Sequence, residues 1–431
     1  MEMKSPSSPA AAPLRPTRVR HQVVGIVILL GMITYVDRAC ISRMTAPIMA
    51  DLSLTKVQMS WVFSAFAIAY ALFEIPTGCL ADRAGTRSVF TRIVLWWSAF
   101  TLFTAAAFNY ASLLVVRFLF GAGEAGAWPC MARTFSRWIP LRERGVVQGI
   151  FFAGAHLGAA LTPFLVTLLL GLMSWRMVFV CCGLLGAIWA AIWYCWFRDE
   201  PAEHPGVNAA ERTLIESDRG TSPRHDFNAA YWKKLFTNRH VLALCVTYFP
   251  NSMVFYFCIT WLPTYLKEKH HFTGTAADFY AGLPFFVAIF GDLCGGFITD
   301  AASRRFGLRF GRTGVGAITC VIAAGTLLAV PFCVNPHAAA ILIALAVAAT
   351  MTSLAATWAT CIEVGGSQPA VVGATMNSAG QVGAMLCPLI VGYSLEWFQN
   401  WDITLYVIGG LFILAAACWF VIDPQQKVFA D

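Results

Sequence analysis

The sequence predicts an all-α membrane protein with twelve transmembrane helices in two pseudo-symmetric six-helix halves. Three observations predict it. Of 431 residues, 58% are hydrophobic and only 12% charged, where soluble domains carry about 25% charge. Apolar runs long enough to cross a bilayer, about 20 residues each, recur along the whole chain. One long polar segment, 198–239, divides those runs six and six.

The runs place spans 1 to 12 at about 22–48, 58–80, 88–108, 111–136, 146–170, 175–197, 240–266, 277–299, 313–334, 338–362, 369–395 and 401–422. The chain then divides into a disordered N-terminus rich in Pro, Ala and Ser (1–20), a first bundle (21–197), a central loop (198–239), a second bundle (240–422) and a tail (423–431). The first run is too long for a signal-peptide core, and no small-residue cleavage site follows it. A water-soluble enzyme is excluded.

Charge placement orients the spans. Of 30 Lys and Arg, Arg38 and Arg117 lie deep within spans, and Arg43, Lys56, Arg176, Lys267 and Lys269 fall at or beyond span ends on one side. The other 23 fall on the side that holds both termini. The positive-inside rule makes that side cytoplasmic, as expected for a multi-pass inner (plasma) membrane protein. Fourteen cysteines stand singly apart from Cys181-Cys182, with no metal-ligand spacing. They read as small apolar packing residues, so neither metal nor cofactor is expected.

The halves share a loop motif. Gly78-Cys-Leu-Ala-Asp82-Arg83-Ala-Gly85-Thr-Arg87 follows span 2; Gly296-Phe-Ile-Thr-Asp300, then Arg304-Arg305 and Gly307, follows span 8. Repeated six-span halves place a site between them near the midplane. An Asp at a helix end and an Arg in the adjacent loop pair in one state and separate in the other. Asp82, Arg83, Arg87, Asp300 and Arg304 are therefore the expected gating residues. Glu74 and Asp292, in the same halves of spans 2 and 8, read as partners of these loops.

The chemistry lies in spans 1 and 4. Asp37 and Arg38 sit within span 1, where a charge costs from about 3 to more than 10 kcal/mol unless it faces a cavity or a partner. Span 4 carries Arg117 and Glu124, seven residues apart and so on one helix face. Its Gly121-x-Gly123-x-x-Gly126 spacing has no preceding strand, so a nucleotide site is rejected; the small residues let helices approach closely. No nucleic-acid partner is expected.

With both acids ionised, two carboxylates balance two guanidiniums. Protonating Asp37 and Glu124 leaves two forks matched to a carboxylate ligand. Proton binding and anion binding then favour each other, as linkage requires. Asp37 and Glu124 are the expected proton-coupling residues, and Arg38 and Arg117 the expected anion ligands. The bland alternative is an ion-pair network that only holds helices together. Tyr35, one turn before Arg38, can orient it. Tyr256, Thr357, Asn377 and Gln381 in the second half are candidate hydroxyl ligands. His156 is a candidate substrate or proton contact as well as a structural histidine.

These residues resemble the anion:cation symporter family of the major facilitator superfamily. The likeness is carried along nearly the whole chain by Tyr35-Val-Asp37-Arg38, Val62-Phe-Ser-Ala-Phe-Ala, Leu80-Ala-Asp82-Arg83-Ala-Gly85-Thr-Arg87, Arg117 with Glu124-Ala-Gly126, Thr260-Trp261-Leu-Pro263-Thr-Tyr265-Leu, and Asn377 with Gly380 and Pro388. Bacterial members include galactonate and hexuronate importers; animal members include sialin and the vesicular glutamate transporters. The resemblance implies a major facilitator fold, Asp37 and Glu124 as proton-binding acids, Arg38 and Arg117 as substrate and gating arginines, and Tyr35, Thr357 and Asn377 lining the pocket. The chain departs from galactonate-type members at Tyr248, at Ala155 or His156, and at Ala355. The departures bear on galactonate itself and leave a carboxylate substrate intact.

The expected function is a monomeric, proton-coupled importer of a small organic anion, a sugar acid of aldonate, hexuronate or glucarate type. Its partners are that anion, protons and the lipid bilayer. The alternatives are an exchanger or facilitator for other carboxylates, such as an aromatic acid or tartrate, and a non-transporting receptor.

Overall fold

The computed structural model describes residues 15–216, 229–366 and 369–429. They are helical and contain no strand, and twelve helices are long and apolar enough to cross a membrane. Span 1 is Val19–Arg43, span 2 Lys56–Ala84, span 3 Thr86–Ala105, span 5 Leu141–Leu170 and span 6 Trp175–Trp196. Span 8 is Gly274–Phe306, span 9 Leu308–Ala329, span 10 Pro336–Gly365, span 11 Pro369–Phe398 and span 12 Asp402–Trp419.

Two expected single helices are broken. Span 4 is Tyr110–Glu124 followed by Ala127–Trp138, because Gly126 and Pro129 interrupt the hydrogen-bond ladder. Span 7 is Arg239–Thr260, then Leu262–His270 after a break at Trp261; Pro263 enters the first turn of the second piece, where its missing N–H costs nothing.

Helix pairs repeat across the halves. Span 1 packs on span 5 as span 7 packs on span 11; span 2 on span 4 as span 8 on span 10; span 3 on span 6 as span 9 on span 12. Small residues make the first pair possible. A Cβ on Gly158 would lie 2.6 Å from the Met32 carbonyl oxygen, and one on Gly383 would lie 2.7 Å from that of Phe249. In lipid, where apolar burial drives little helix association, such backbone approach supplies the packing. The halves meet through spans 2 and 11, 5 and 8, and 1 and 7. Large side chains such as Phe297, Leu168 and Phe310 project from the outer surface, where lipid rather than water suits them.

The N-terminal boundary needs correction. Residues 1–14 lie outside the described residues, but the expected disordered stretch ran to residue 20. The helix already begins at Val19, and Arg20 is buried. The reason is a short helix of the central loop, Ala209–Glu216. Its buried Glu211 accepts from the Thr17 hydroxyl at 2.5 Å and from the backbone N–H groups of Val19 and Arg20 at 3.2 Å. That carboxylate satisfies donors that a helix start leaves open.

Candidate functional site

Span 1 carries Asp37 and Arg38 well inside the helix, and span 4 ends its first segment on Glu124. All are buried: Asp37 is 1% exposed, Glu124 0%, Arg117 3% and Arg38 9%. Successive residues on a helix diverge by about 100°, so Asp37 and Arg38 face different neighbours.

Arg38 Nε donates to Glu124 Oε1 in a buried ion pair. Its guanidinium also lies against four rings: Tyr70 at 4.9 Å, Phe66 at 5.2 Å, Tyr35 at 5.5 Å and Trp128 at 5.9 Å. Cations are attracted to ring faces at these distances. Arg117 lies over Phe120 at 4.3 Å and Phe66 at 5.6 Å. Asp37 Oδ1 and Oδ2, Arg38 Nη2, Arg117 Nε, Glu124 Oε2, Tyr70 OH and Tyr256 OH are all buried without a hydrogen-bond partner among the described residues. Such groups are rare in folded proteins and ask for an explanation each; a polar layer that exchanges partners is one. The four charged residues thus do not form one closed network. Arg38 and Glu124 pair, while Asp37 and Arg117 stand outside that pair.

Arg38, Arg117, Phe63, Phe66, Tyr256 and Thr260 surround a cavity of about 10 Å³, room for about one water. Of the expected second-half ligands, Tyr256 lines this cavity with both arginines. Thr357 does not offer a free proton, since its hydroxyl donates to the Ser353 carbonyl at 2.9 Å. Asn377 Nδ2 is held by both carboxylate oxygens of Glu74 at 3.2 Å. His156 Nδ1 lies 2.8 Å from Asp292 Oδ2, and its ring meets Tyr35 and Phe255, both at 5.8 Å between centroids. Gln381 keeps a buried Oε1 without a hydrogen-bond partner among the described residues.

Among the described residues, Glu74 and Asp292 therefore join the two halves. Each lies two helical turns short of its loop aspartate and meets the helix of the other half first. The balance of two acids against two arginines omitted them. The aromatic cage was also missed, although Phe66, Tyr70 and Glu74 recur every fourth residue of span 2, a one-face spacing visible in the sequence.

Among the gating candidates, the side chains of Asp82 and Arg83 lie outside the described residues. Arg87 donates from Nε and Nη2 to the Tyr194 carbonyl at 2.9 and 2.8 Å, and its backbone N–H donates to Asp199 at 2.9 Å. Asp300 pairs with Arg312 rather than Arg304, at 3.0 Å, and Arg312 also reaches Glu363 at 3.2 Å. Arg304 is exposed and has no ion pair among the described residues. The reason is Gly307, whose φ of +84° turns the chain so that the start of span 9 folds back beside the end of span 8. On the face opposite the termini, Arg43 pairs with buried Asp278 at 2.8 Å, and Thr167 donates to the same carboxylate at 2.9 Å. Lys56 and Glu268 pair there as well, at 2.5 Å. These contacts join spans 1, 2 and 5 to the second half.

The Major Facilitator Superfamily model matches residues 27–376. A protein named probable sulfoacetate transporter SauU, from Cupriavidus necator, is 32% identical over 95% of this chain and 95% of its own length. The chain belongs to the Major Facilitator Superfamily. This superfamily is one of transporters, so the protein is a multi-pass membrane transporter and not an enzyme. A D-galactonate transporter of Escherichia coli O6:H1 is 31% identical, covering 96% of this chain and 98% of that one. A hexuronate transporter of Bacillus subtilis is 28% identical, covering 91% and 92%. Among solved structures, a bacterial homologue of the human lysosomal transporter Spinster superposes with a TM-score of 0.73 at 20% identity, covering 96% of this chain and 97% of that one. That likeness supports the fold. The sugar-acid transporters among the relatives are of the kind that the anion:cation symporter resemblance implied.

Proposed function

We propose that the protein imports a small organic anion, with a sugar acid as the leading candidate, together with protons across a bacterial inner membrane. Both termini face the cytoplasm in this reading, and one chain suffices. The observation that carries it is the buried Arg38–Glu124 pair beside an Arg117 whose Nε has no hydrogen-bond partner among the described residues. Protonating Glu124 removes the charge that holds Arg38. The freed fork and Arg117 then face the small cavity together, where a carboxylate can accept from both. Bound anion in turn favours the protonated acid, because the coupling is reciprocal. Asp37 supplies a second proton-accepting carboxylate, on span 1 beside Arg38. Tyr256, His156, Asn377, Gln381 and Thr357 surround the substrate's hydroxylated end, and Tyr35 sets the Arg38 plane.

The cavity of about 10 Å³ is too small for a six-carbon acid, so entry requires the halves to rock apart, as alternating access demands. Relatives named as galactonate and hexuronate transporters favour the sugar-acid class. A second reading, a small sulfonate, is favoured by the relative named probable sulfoacetate transporter; guanidinium forks suit either head group. Proteoliposomes with an acidic exterior test both. Radiolabelled galactonate should accumulate against its gradient, and excess sulfoacetate or tartrate ranks the competitors. Counterflow without any proton movement would favour an exchanger, and no flux of any of these anions would overturn the proposed substrate class.

A further inference from the structure

Two acids outside the arginine site are related by the internal repeat. Glu74 stands eight residues before Asp82, and Asp292 eight before Asp300. Each also precedes the motif glycine, Gly78 or Gly296, by four. The two acids therefore occupy one register in spans 2 and 8. Each reaches across to the other half: Glu74 holds Asn377 of span 11 at 3.2 Å, and Asp292 lies 2.8 Å from His156 of span 5. Spans 5 and 11 are themselves equivalent, with Gly158 and Pro163 matching Gly383 and Pro388 at identical spacing. Asn377 lies one turn nearer the termini than Gln381, the counterpart of His156. Glutamate has one more methylene than aspartate, and the N-terminal half uses that reach.

Both contacts lie on the termini side of the arginine site. Span 2 runs from the opposite face toward the termini, and Glu74 is one turn past Tyr70, a wall of the Arg38 cage. Span 8 runs the same way, with Asp278 in its first turns and Asp292 well beyond. Farther toward the termini, the pairs Arg20–Glu143, Arg137–Glu200 and Arg312–Asp300 each stay within one half or its adjoining segment.

We propose that Glu74 and Asp292 are the two arms of one pseudo-symmetric latch, which holds the halves together between the arginine site and the termini face. Both arms must release for the site to open to that side. Asn377 and His156 are then gripped by protein carboxylates while the latch is shut and turn to substrate when it opens. The proposal rests on the transport reading for its purpose, but its test does not.

The test is hydrogen–deuterium exchange on the full-length protein in lipid nanodiscs without substrate. E74Q and D292N keep side-chain volume. The Asn377 hydrogen bonds to the Glu74 carboxylate, and the 2.8 Å ion-pair contact of Asp292 with His156, which lacks hydrogen-bond geometry, are each strong enough to move a local opening equilibrium about tenfold. Each variant should therefore exchange about tenfold faster in the termini-side ends of spans 5, 8 and 11, with the ends near Arg43 and Asp278 unchanged. N377A should reproduce E74Q from the other side of the contact, which keeps the test alive if one variant does not fold. Unchanged exchange, a rise in only one acid variant, or an equal rise at both faces would overturn the latch. Absence of anion uptake by wild-type protein would overturn the transport reading and leave this exchange pattern standing.

Discussion

Arg38 is ion-paired to Glu124, while Asp37, the residue beside it in the chain, keeps both carboxylate oxygens without a hydrogen bond among the described residues. Two neighbouring charges in one helix thus have different surroundings. One is locked to span 4 and caged by rings; the other is buried and uncommitted. Their substitutions should separate accordingly.

Replacing Glu124 by Gln leaves the Arg38 guanidinium buried without its counter-charge. Breaking one side of a buried pair costs about 3–5 kcal/mol, whereas replacing both sides by apolar groups is often neutral. Thermal unfolding in detergent should therefore rank E124Q below R38M/E124M, with wild type near the double variant. Equal midpoints for E124Q and wild type would mean that the pair bears no stability.

Asp37→Asn removes a carboxylate that makes no hydrogen bond among the described residues and is tied only by charge to the nearby Arg117. The unfolding midpoint should fall less than for E124Q, since no hydrogen-bonded ion pair is broken and a typical single substitution costs about 1 kcal/mol. Proton-driven accumulation in proteoliposomes should vanish while counterflow persists. Retained uphill uptake by both D37N and E124Q would remove these acids from the coupling role.

Arg43 and Asp278 lock the face opposite the termini, with Thr167 bonded to the same carboxylate. Asp278→Asn should weaken this lock by about 2 kcal/mol, the worth of a hydrogen bond to a charged group. Exchange should rise in residues 44–55 and 261–273 and remain unchanged on the termini face. R43Q should act alike, and the double variant should fall short of the sum because the two share one contact.

His204 docks the central loop, lying between Trp138 and Trp196 at 5.8 and 4.8 Å between ring centroids. Burial, aided by the Arg198 charge and opposed by Glu211, lowers its pKa from the ordinary 6.5. A histidine whose folded pKa is depressed takes up protons more readily when undocked. Docking is then undiminished above about pH 6.5 and weakens as pH falls below it. Exchange in residues 201–216, corrected for intrinsic rates, should rise between about pH 7.5 and pH 5.5. His204→Phe keeps the ring packing and should abolish that rise.

The spans were legible because a bilayer imposes a length and an apolar composition that any stretch of chain must meet alone. The acid and arginine candidates were legible for the same reason: a charge inside such a stretch is costly enough to mark itself. Gly126 with Pro129 and Trp261 with Pro263 also stood in the sequence, but whether they kink or break a helix depends on what packs beside them. The contact of Asp300 with Arg312 rather than Arg304 depends on how Gly307 turns the chain.

The sequence by itself therefore determined the membrane class, the twelve spans, the repeat of the loop motif and the presence of Asp37, Arg38, Arg117 and Glu124 within apolar helices. Each of these is written in local composition or in spacing along one helix. Only the tertiary structure decided that Arg38 takes Glu124 and leaves Asp37 alone, that Phe66, Tyr70 and Trp128 cage the guanidinium, and that Glu74 and Asp292 cross to Asn377 and His156. Those pairings join residues up to 303 positions apart. They depend on the rotation of each helix about its axis and on its depth beside its neighbours, which packing between small residues fixes and local sequence does not.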